Sequence, residues 1–201
     1  RPKSWQDSKD KSYDSYMKSK FENRVKAKVN KRTKRLDSFI WFAEIEGEAK
    51  LFEEECLQIA AQFIQTYYPE YTPYLHVEIK DEEYIEENRA FFRFVVQKNG
   101  FSVENEFFHM NISKKTGEIL MFLTPNVEVE CIENFAPQAI KPINEWLPLK
   151  GLKVQMEWSK VYWETEQNEE EVRLIYRIRM TDGAFIKGVN AESGEVIYSV
   201  I

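Results

Sequence analysis

The sequence has little of what catalytic, disulfide-bonded or membrane-spanning proteins require. Two cysteines, Cys56 and Cys131, are too few for a disulfide scaffold and permit one bridge or none. Cys56 sits in a helical pattern beside Leu57, Ile59 and Ala60, where a buried thiol is the expected state. Only His76 and His109 offer imidazoles, far apart and both in strand-like surroundings, which favours structural or surface roles. The nucleophile elbow Gly-x-Ser-x-Gly, His-Glu-x-x-His, the phosphate loop and the dinucleotide glycine motif are all absent. No catalytic, cofactor-binding or metal-ligating residue is therefore assigned, and the expected protein is not an enzyme. Seven glycines and seven prolines are few for a loop-built fold, so most of the chain should lie in regular elements. No apolar run approaches the roughly 18 residues of a membrane span. The chain opens on Arg1-Pro2-Lys3, so any export signal is expected upstream and its absence here is uninformative.

What is present describes a folded chain. Its 201 residues are 43% hydrophobic and 14% aromatic, enough for one domain or two small ones with real cores. The net charge of −6 conceals a division: residues 1–35 carry +9 and the remainder −15. A basic arm on an acidic body is the largest-scale feature of the sequence. Within the arm, Tyr13, Met17, Phe21, Val25 and Val29 recur at steps of four, which predicts a basic amphipathic helix over 1–35.

Beyond the arm, Phe39-Ile40-Trp41-Phe42-Ala43 fits a buried strand or the first turn of the next helix. Leu51, Phe52, Cys56, Ile59, Ala60, Phe63, Ile64 and Tyr67 predict a helix from Glu48 to Tyr68, stopped by Pro69. The period then becomes two. Strands are predicted around Leu75–Lys80, Phe91–Val96, Glu104–Ile112 and Ile119–Leu123, with Asn99-Gly100 as a hairpin turn. A second, shorter copy follows: a helix over Ala136–Leu147, strands around Val154–Trp163 and Arg173–Met180, and a final hairpin over 184–190 and 195–200.

The two halves share a motif. Ile112-Ser113-Lys114-Lys115-Thr116-Gly117-Glu118-Ile119 aligns without gaps to Val189-Asn190-Ala191-Glu192-Ser193-Gly194-Glu195-Val196. Each reads as a hairpin corner in which one glycine takes positive φ and the flanking aliphatics face a core. Thr116, Gly117, Glu118, Ser193, Gly194 and Glu195 are therefore the candidate site residues, in a structural role. Upstream of the corners, Phe92-Arg93-Phe94 is matched to Tyr176-Arg177-Ile178. Helix, strand, aromatic strand and corner occur twice in one order.

These corners resemble those of PepSY domains, found in peptidase propeptides and YpeB-type spore proteins. The doubled arrangement over residues 45–201 resembles the YcdB/YcdC repeated domain of Gram-positive spore-forming bacteria. The resemblance implies an α+β fold of two helix-plus-antiparallel-meander modules, here 36–130 and 131–201, preceded by the basic segment. It also implies an extracytoplasmic or envelope-associated, non-catalytic protein that binds or restrains a partner such as a peptidase. Ser113 stands where the family usually has Asp or Asn, so the side-chain cap on that turn should be weaker.

Acidic runs at Glu53–Glu55, Asp81–Glu83, Glu86–Glu87 and Glu169–Glu171 lack calcium-loop spacing and read as solvated faces. A hydrolase using dispersed carboxylates is the least favoured alternative. The basic arm reads as a solvated tail, as a strap docked on the acidic body, or as a binder of an anionic polymer or membrane surface. The acidic body argues against nucleic acid as the principal partner.

Overall fold

The computed structural model describes residues 13–20, 23–42, 45–78, 87–136, 140, 153–162, 170–179 and 186–198. The architecture is α+β: a mostly stranded, mixed sheet arrangement with few helices. The chain divides into two compact units. One draws on Asp7–Val96 and Glu106–Val129, the other on Gln97–Asn105 and Glu130–Ile201.

In the first unit the order across the sheet is β1-β2-β3-β7-β6-β5-β4. These are β1 (Tyr13–Lys20), β2 (Asn23–Asn30), β3 (Leu36–Phe42), β4 (Leu75–Glu78), β5 (Arg89–Lys98), β6 (Phe101–Ser113) and β7 (Ile119–Leu123). Helix α1 (Glu53–Tyr67) packs on one face, burying the stripe Cys56, Ala60 and Ile64. Phe63 of α1 meets Phe122 of β7 edge-on with ring centroids 5.0 Å apart, and Phe108 stacks on Phe122 at 5.8 Å. Alternate residues of β5, namely Ala90, Phe92, Phe94 and Val96, point into this core. Full burial of each large apolar side chain contributes about 1.5–3 kcal/mol, so this cluster is the main source of the unit's stability. Tyr71 closes the far end, its hydroxyl donating to the Val127 carbonyl at 2.7 Å. The buried carboxylate of Glu106 accepts from the Asn126 and Val127 amides at 2.5 and 2.9 Å and fastens the chain after β7.

Among the described residues of the basic segment, strands stand where a helix was expected: 13–20 and 23–30 pair antiparallel, with Tyr13 opposite Asn30 and Lys20 opposite Asn23. The error lay in the period. A step of four is also two steps of two, so a spacing that marks one helical stripe equally marks one face within each strand, Tyr13 with Met17 on β1 and Val25 with Val29 on β2. The alternation on β2 decides it, with Val25, Ala27 and Val29 half-buried and Lys26 and Lys28 exposed. The ambiguous Phe39–Phe42 run is strand, in β3 between β2 and β7. Helix α1 begins five residues later than expected. The Lys50 and Leu51 amides both donate to the Lys114 carbonyl, at 2.9 and 2.8 Å, which ties the lead-in to the chain after β6 and keeps these two amides out of the helix. The Glu55 carboxylate then accepts from the Phe52 amide at 2.8 Å as half of a capping box. Pro69 ends the α-helix and starts a 3-10 turn over Pro69–Tyr74.

In the second unit, the start of β6 pairs in parallel with β8 (Lys153–Tyr162), Ser102 opposite Glu157 and Val103 opposite Trp158. Antiparallel neighbours follow in the order β8, β9 (Glu170–Arg179), β10 (Ile186–Asn190) and β11 (Val196–Tyr198). Its core holds Trp158, Leu174, Ile175, Tyr176, Val189 and Ile197. The helix expected over Ala136–Leu147 lies outside the described residues except at 136 and 140. A short helix, α2 (Val129–Glu133), precedes it and buries Cys131 and Ile132. The expected Asn99-Gly100 turn has both residues at positive φ, 55° and 80°, as a two-residue hairpin turn demands.

Candidate functional site

The six candidate residues occupy two turns of one construction. Between β6 and β7, the Ser113 amide donates to the Glu118 carbonyl at 2.9 Å and the Gly117 amide to the Ser113 carbonyl at 2.8 Å. Between β10 and β11, the Asn190 amide donates to the Glu195 carbonyl at 2.9 Å and the Gly194 amide to the Asn190 carbonyl at 2.9 Å. The hydroxyls of Thr116 and Ser193 each accept from the amide two residues on, at 3.3 and 3.2 Å. Thr116 also donates to the Glu118 carboxylate at 2.8 Å. Gly117 and Gly194 sit at φ of +77° and +82°, a region that glycine adopts without steric cost. Thr116, Glu118, Ser193 and Glu195 are exposed and their polar groups shape the turns. Ser113 caps its turn with one hydrogen bond, accepting from the Lys115 amide at 3.2 Å. Asn190 accepts two, from the Glu192 and Ser193 amides at 2.9 and 3.3 Å.

A third turn of the same construction joins β2 to β3, and sequence reasoning missed it. The Asn30 amide donates to the Arg35 carbonyl, and the Lys34 amide to the Asn30 carbonyl, both at 2.8 Å. Asn30 Oδ1 accepts from the Arg32 and Thr33 amides at 2.9 and 3.1 Å, and Thr33 Oγ1 from the Arg35 amide at 3.4 Å. Lys34, at φ +59°, stands where the other turns have glycine. The signal was partial: Val29-Asn30-Lys31-Arg32-Thr33-Lys34-Arg35-Leu36 has the spacing of the other two segments but lacks their Gly-Glu. This turn is docked. Arg32 donates to Glu128 at 2.6 Å, and Arg35 donates to Glu70 while its guanidinium lies 5.8 Å from the Tyr68 ring centre.

The upstream aromatic-Arg strands are not in matching register. The Lys114 amide donates to Asn88 and the Ala191 amide to Leu174, equivalent bonds in the two copies. Counted from those acceptors, Arg93 is five residues along and Arg177 three. Both nevertheless pair with a glutamate of the neighbouring strand, Arg93 with Glu78 at 3.2 Å and Arg177 with Glu157.

Arg177 centres a largely buried polar cluster. Its guanidinium donates to both Glu157 and Glu104, and Ser159 Oγ donates to Glu104. Glu157 and Ser159 are buried, on the strand face opposite to Met156 and Trp158. Burial works against the charge on Arg177, but Glu104 and Glu157 outweigh it and hold the guanidinium above its ordinary pKa. Each carboxylate spends an oxygen on the same cation, so the cluster acts as a clamp between β6, β8 and β9.

The remaining nucleophiles and imidazoles are dispersed. Cys56 and Cys131 are both buried and unbridged. Burial pushes the Cys56 thiol up; Lys114 opposes this, and Glu55 and Glu53 add to it. His76 is exposed on β4, whereas His109 lies half-buried on β6, with Phe91 and Phe107 at 6.5 and 6.4 Å. Among the described residues no group of three or more His, Cys, Asp or Glu is placed to hold a metal ion. No helix among them is long and apolar enough to cross a membrane.

Comparison with known proteins places the chain in a family. The family model for the YcdB, YcdC repeated domain matches residues 1–126. The uncharacterized protein YcdB of Bacillus subtilis (strain 168) is 23% identical over 193 residues, covering 95% of this chain and 39% of the relative. YcdC of the same strain is 26% identical over 171 residues, covering 84% and 37%. The chain thus spans well under half the length of these curated relatives. Among solved structures, the Bacillus megaterium YpeB C-terminal domain aligns with a TM-score of 0.49 at 14% identity, over 95% of this chain and 85% of that one. An uncharacterized protein from Eubacterium rectale ATCC 33656 aligns with a TM-score of 0.44 at 11% identity, over 94% and 76%. With more than half of its length matched by that family model, the chain belongs to the YcdB/YcdC repeated-domain family.

Proposed function

We propose that the chain is a non-catalytic binding module of the cell envelope that takes a protein partner by strand addition. On this reading the two units are PepSY-like modules, and the partner is a peptidase, as the resemblance of the corners to PepSY domains implies. The observation that carries the reading is the outer edge of β1. Tyr13–Lys20 pairs with β2 on one side and with no described strand on the other. Eight residues of ladder on one side leave alternate amides and carbonyls directed outward, a template that an extended segment of a partner can complete. The polar groups of the corners and of the Arg177 cluster are meanwhile spent on holding strands together, which suits a scaffold.

The test is affinity capture on the immobilised chain from solubilised envelope proteins of a Gram-positive spore former, followed by hydrogen exchange on the complex. Recovery of a peptidase, with slowed exchange over Tyr13–Lys20 and reduced peptidase turnover, is the expected outcome. Slowing confined to other strands, or turnover of a substrate by the chain itself, would overturn the reading.

A further inference from the structure

The register of the basic hairpin creates a surface with a second use. Directly opposed residues on neighbouring strands point to the same face of a sheet. Lys28 lies opposite Ser38, Ser38 opposite Leu123; Lys26 lies opposite Ile40, Ile40 opposite Met121. Lys26, Lys28, Ile40, Phe42, Met121 and Leu123 therefore share one face of β2, β3 and β7. It is the face turned away from α1, because Phe39 and Phe122, of the other parity, belong to the helix side. The apolar members stay accessible: Phe42 is 58% exposed, Leu123 44% and Ile40 37%, and both lysines are exposed.

We propose that this face docks on an anionic lipid surface. Both halves of the pattern are needed to see why. Lysines along β2 meet lipid phosphates, while Phe42, Ile40 and Leu123 reach the boundary between headgroups and acyl chains, the arrangement of an interfacial amphipathic surface laid out on strands. Charge sets the orientation. The first 35 residues carry +9 and the remainder −15, so an anionic surface attracts the hairpin and repels the rest of the chain. Arg32 and Arg35 hold the turn to Glu128 and Glu70 at the end of this hairpin, so the lysines are presented on a fixed strand. This inference does not depend on a partner at the β1 edge.

The experiment is sedimentation of the whole chain with vesicles of phosphatidylglycerol and phosphatidylcholine, against phosphatidylcholine alone, over a range of salt. Binding to the anionic vesicles is expected, weakening as salt rises. Each lysine near such a surface is worth about fivefold in partition, so Lys26→Gln with Lys28→Gln should lower it about 25-fold. Phe42→Ser should lower it about tenfold through lost apolar insertion. Circular dichroism matching the unsubstituted chain confirms that each variant is folded. Absence of sedimentation, equal partition onto both vesicle types, or full binding by Phe42→Ser would overturn the proposal. So would self-association that Phe42→Ser abolishes, since the face would then belong to a second copy of the chain.

Discussion

Lys34 and Gly117 hold the same position in two copies of one turn, at φ of +59° and +77°. A lysine there carries a side chain in the left-handed region, which costs about 1–2 kcal/mol for an ordinary residue. Lys34→Gly should relieve it and raise stability by about 0.5–1 kcal/mol, after the greater chain entropy of glycine is deducted. Gly117→Ala should do the reverse and more. The added methyl takes on the same strain and meets Ile59 Cδ1 at 3.1 Å and Leu51 Cδ1 at 3.2 Å. A loss of about 2–3 kcal/mol is expected. Urea unfolding of the two variants measures both signs, and a destabilised Lys34→Gly would show that the turns are not equivalent.

The cap residues rank by the hydrogen bonds their side chains accept. Asn30 accepts two at 2.9 and 3.1 Å, whereas Ser113 accepts one at 3.2 Å. Both residues are buried. Each amide left without a partner costs about 1–3 kcal/mol when it is shielded from water, less where the turn is wet. Asn30→Ala should therefore lower the urea midpoint by more than Ser113→Ala, with unchanged slope. Equal losses would mean that the Asn30 side chain does not hold its turn.

The Arg177 clamp predicts strong non-additivity. Arg177→Met leaves Glu104 and Glu157 facing each other's charge in a poorly solvated place, at a cost of about 2–4 kcal/mol. Glu104→Gln and Glu157→Gln, added to Arg177→Met, should recover more than half of that loss, because the uncompensated charges are gone. Thermal unfolding of the single and triple variants reads the difference directly. A triple variant less stable than Arg177→Met would mean that the carboxylates have other work.

Alkali above about pH 10 should destabilise the protein through its two buried tyrosines. Burial holds the Tyr68 and Tyr71 hydroxyls protonated far above the ordinary range, with Asp37 adding at Tyr68 and Glu70 at Tyr71. The unfolded chain loses these protons near pH 10 while the folded chain keeps them. The folded state then binds more protons, so stability is full below about pH 10 and falls as pH rises beyond it, by about 1.4 kcal/mol per pH unit for each tyrosine. Tyr71→Phe should lessen the slope above pH 10 in a series of urea titrations.

Much of the fold was legible because the chain punctuates itself. Pro69 ends α1, Asn99-Gly100 turns β5 into β6, and Gly117 and Gly194 mark two corners that share Thr/Ser-Gly-Glu. The third corner was hidden by two residues: with Lys34-Arg35 in place of Gly-Glu, Val29–Leu36 reads as part of a basic run. The same run was misread as helix because Tyr13, Met17, Val25 and Val29 satisfy both periods, and no local property separates them. What settles the matter is tertiary, the pairing of β2 with β3 and of β3 with β7. The Arg177 cluster was illegible for a different reason. On β8, Gln155, Glu157 and Ser159 alternate with Met156 and Trp158, and polar positions in such a pattern are read as solvent-facing. Glu157 and Ser159 are buried because that face of the strand is covered too. The charge division, by contrast, was visible from composition, and the exposed lysines of β2 are where it becomes a surface.

The equivalence of the three turns is tested most directly by the backbone angle of Lys34 in solution. Scalar and dipolar couplings across Asn30–Leu36, Ser113–Ile119 and Asn190–Val196 should give positive φ at Lys34, Gly117 and Gly194 alike. They should also show hydrogen bonds from the Lys34, Gly117 and Gly194 amides to Asn30, Ser113 and Asn190. A negative φ at Lys34, or a continuous helix through residues 23–35, would contradict the account.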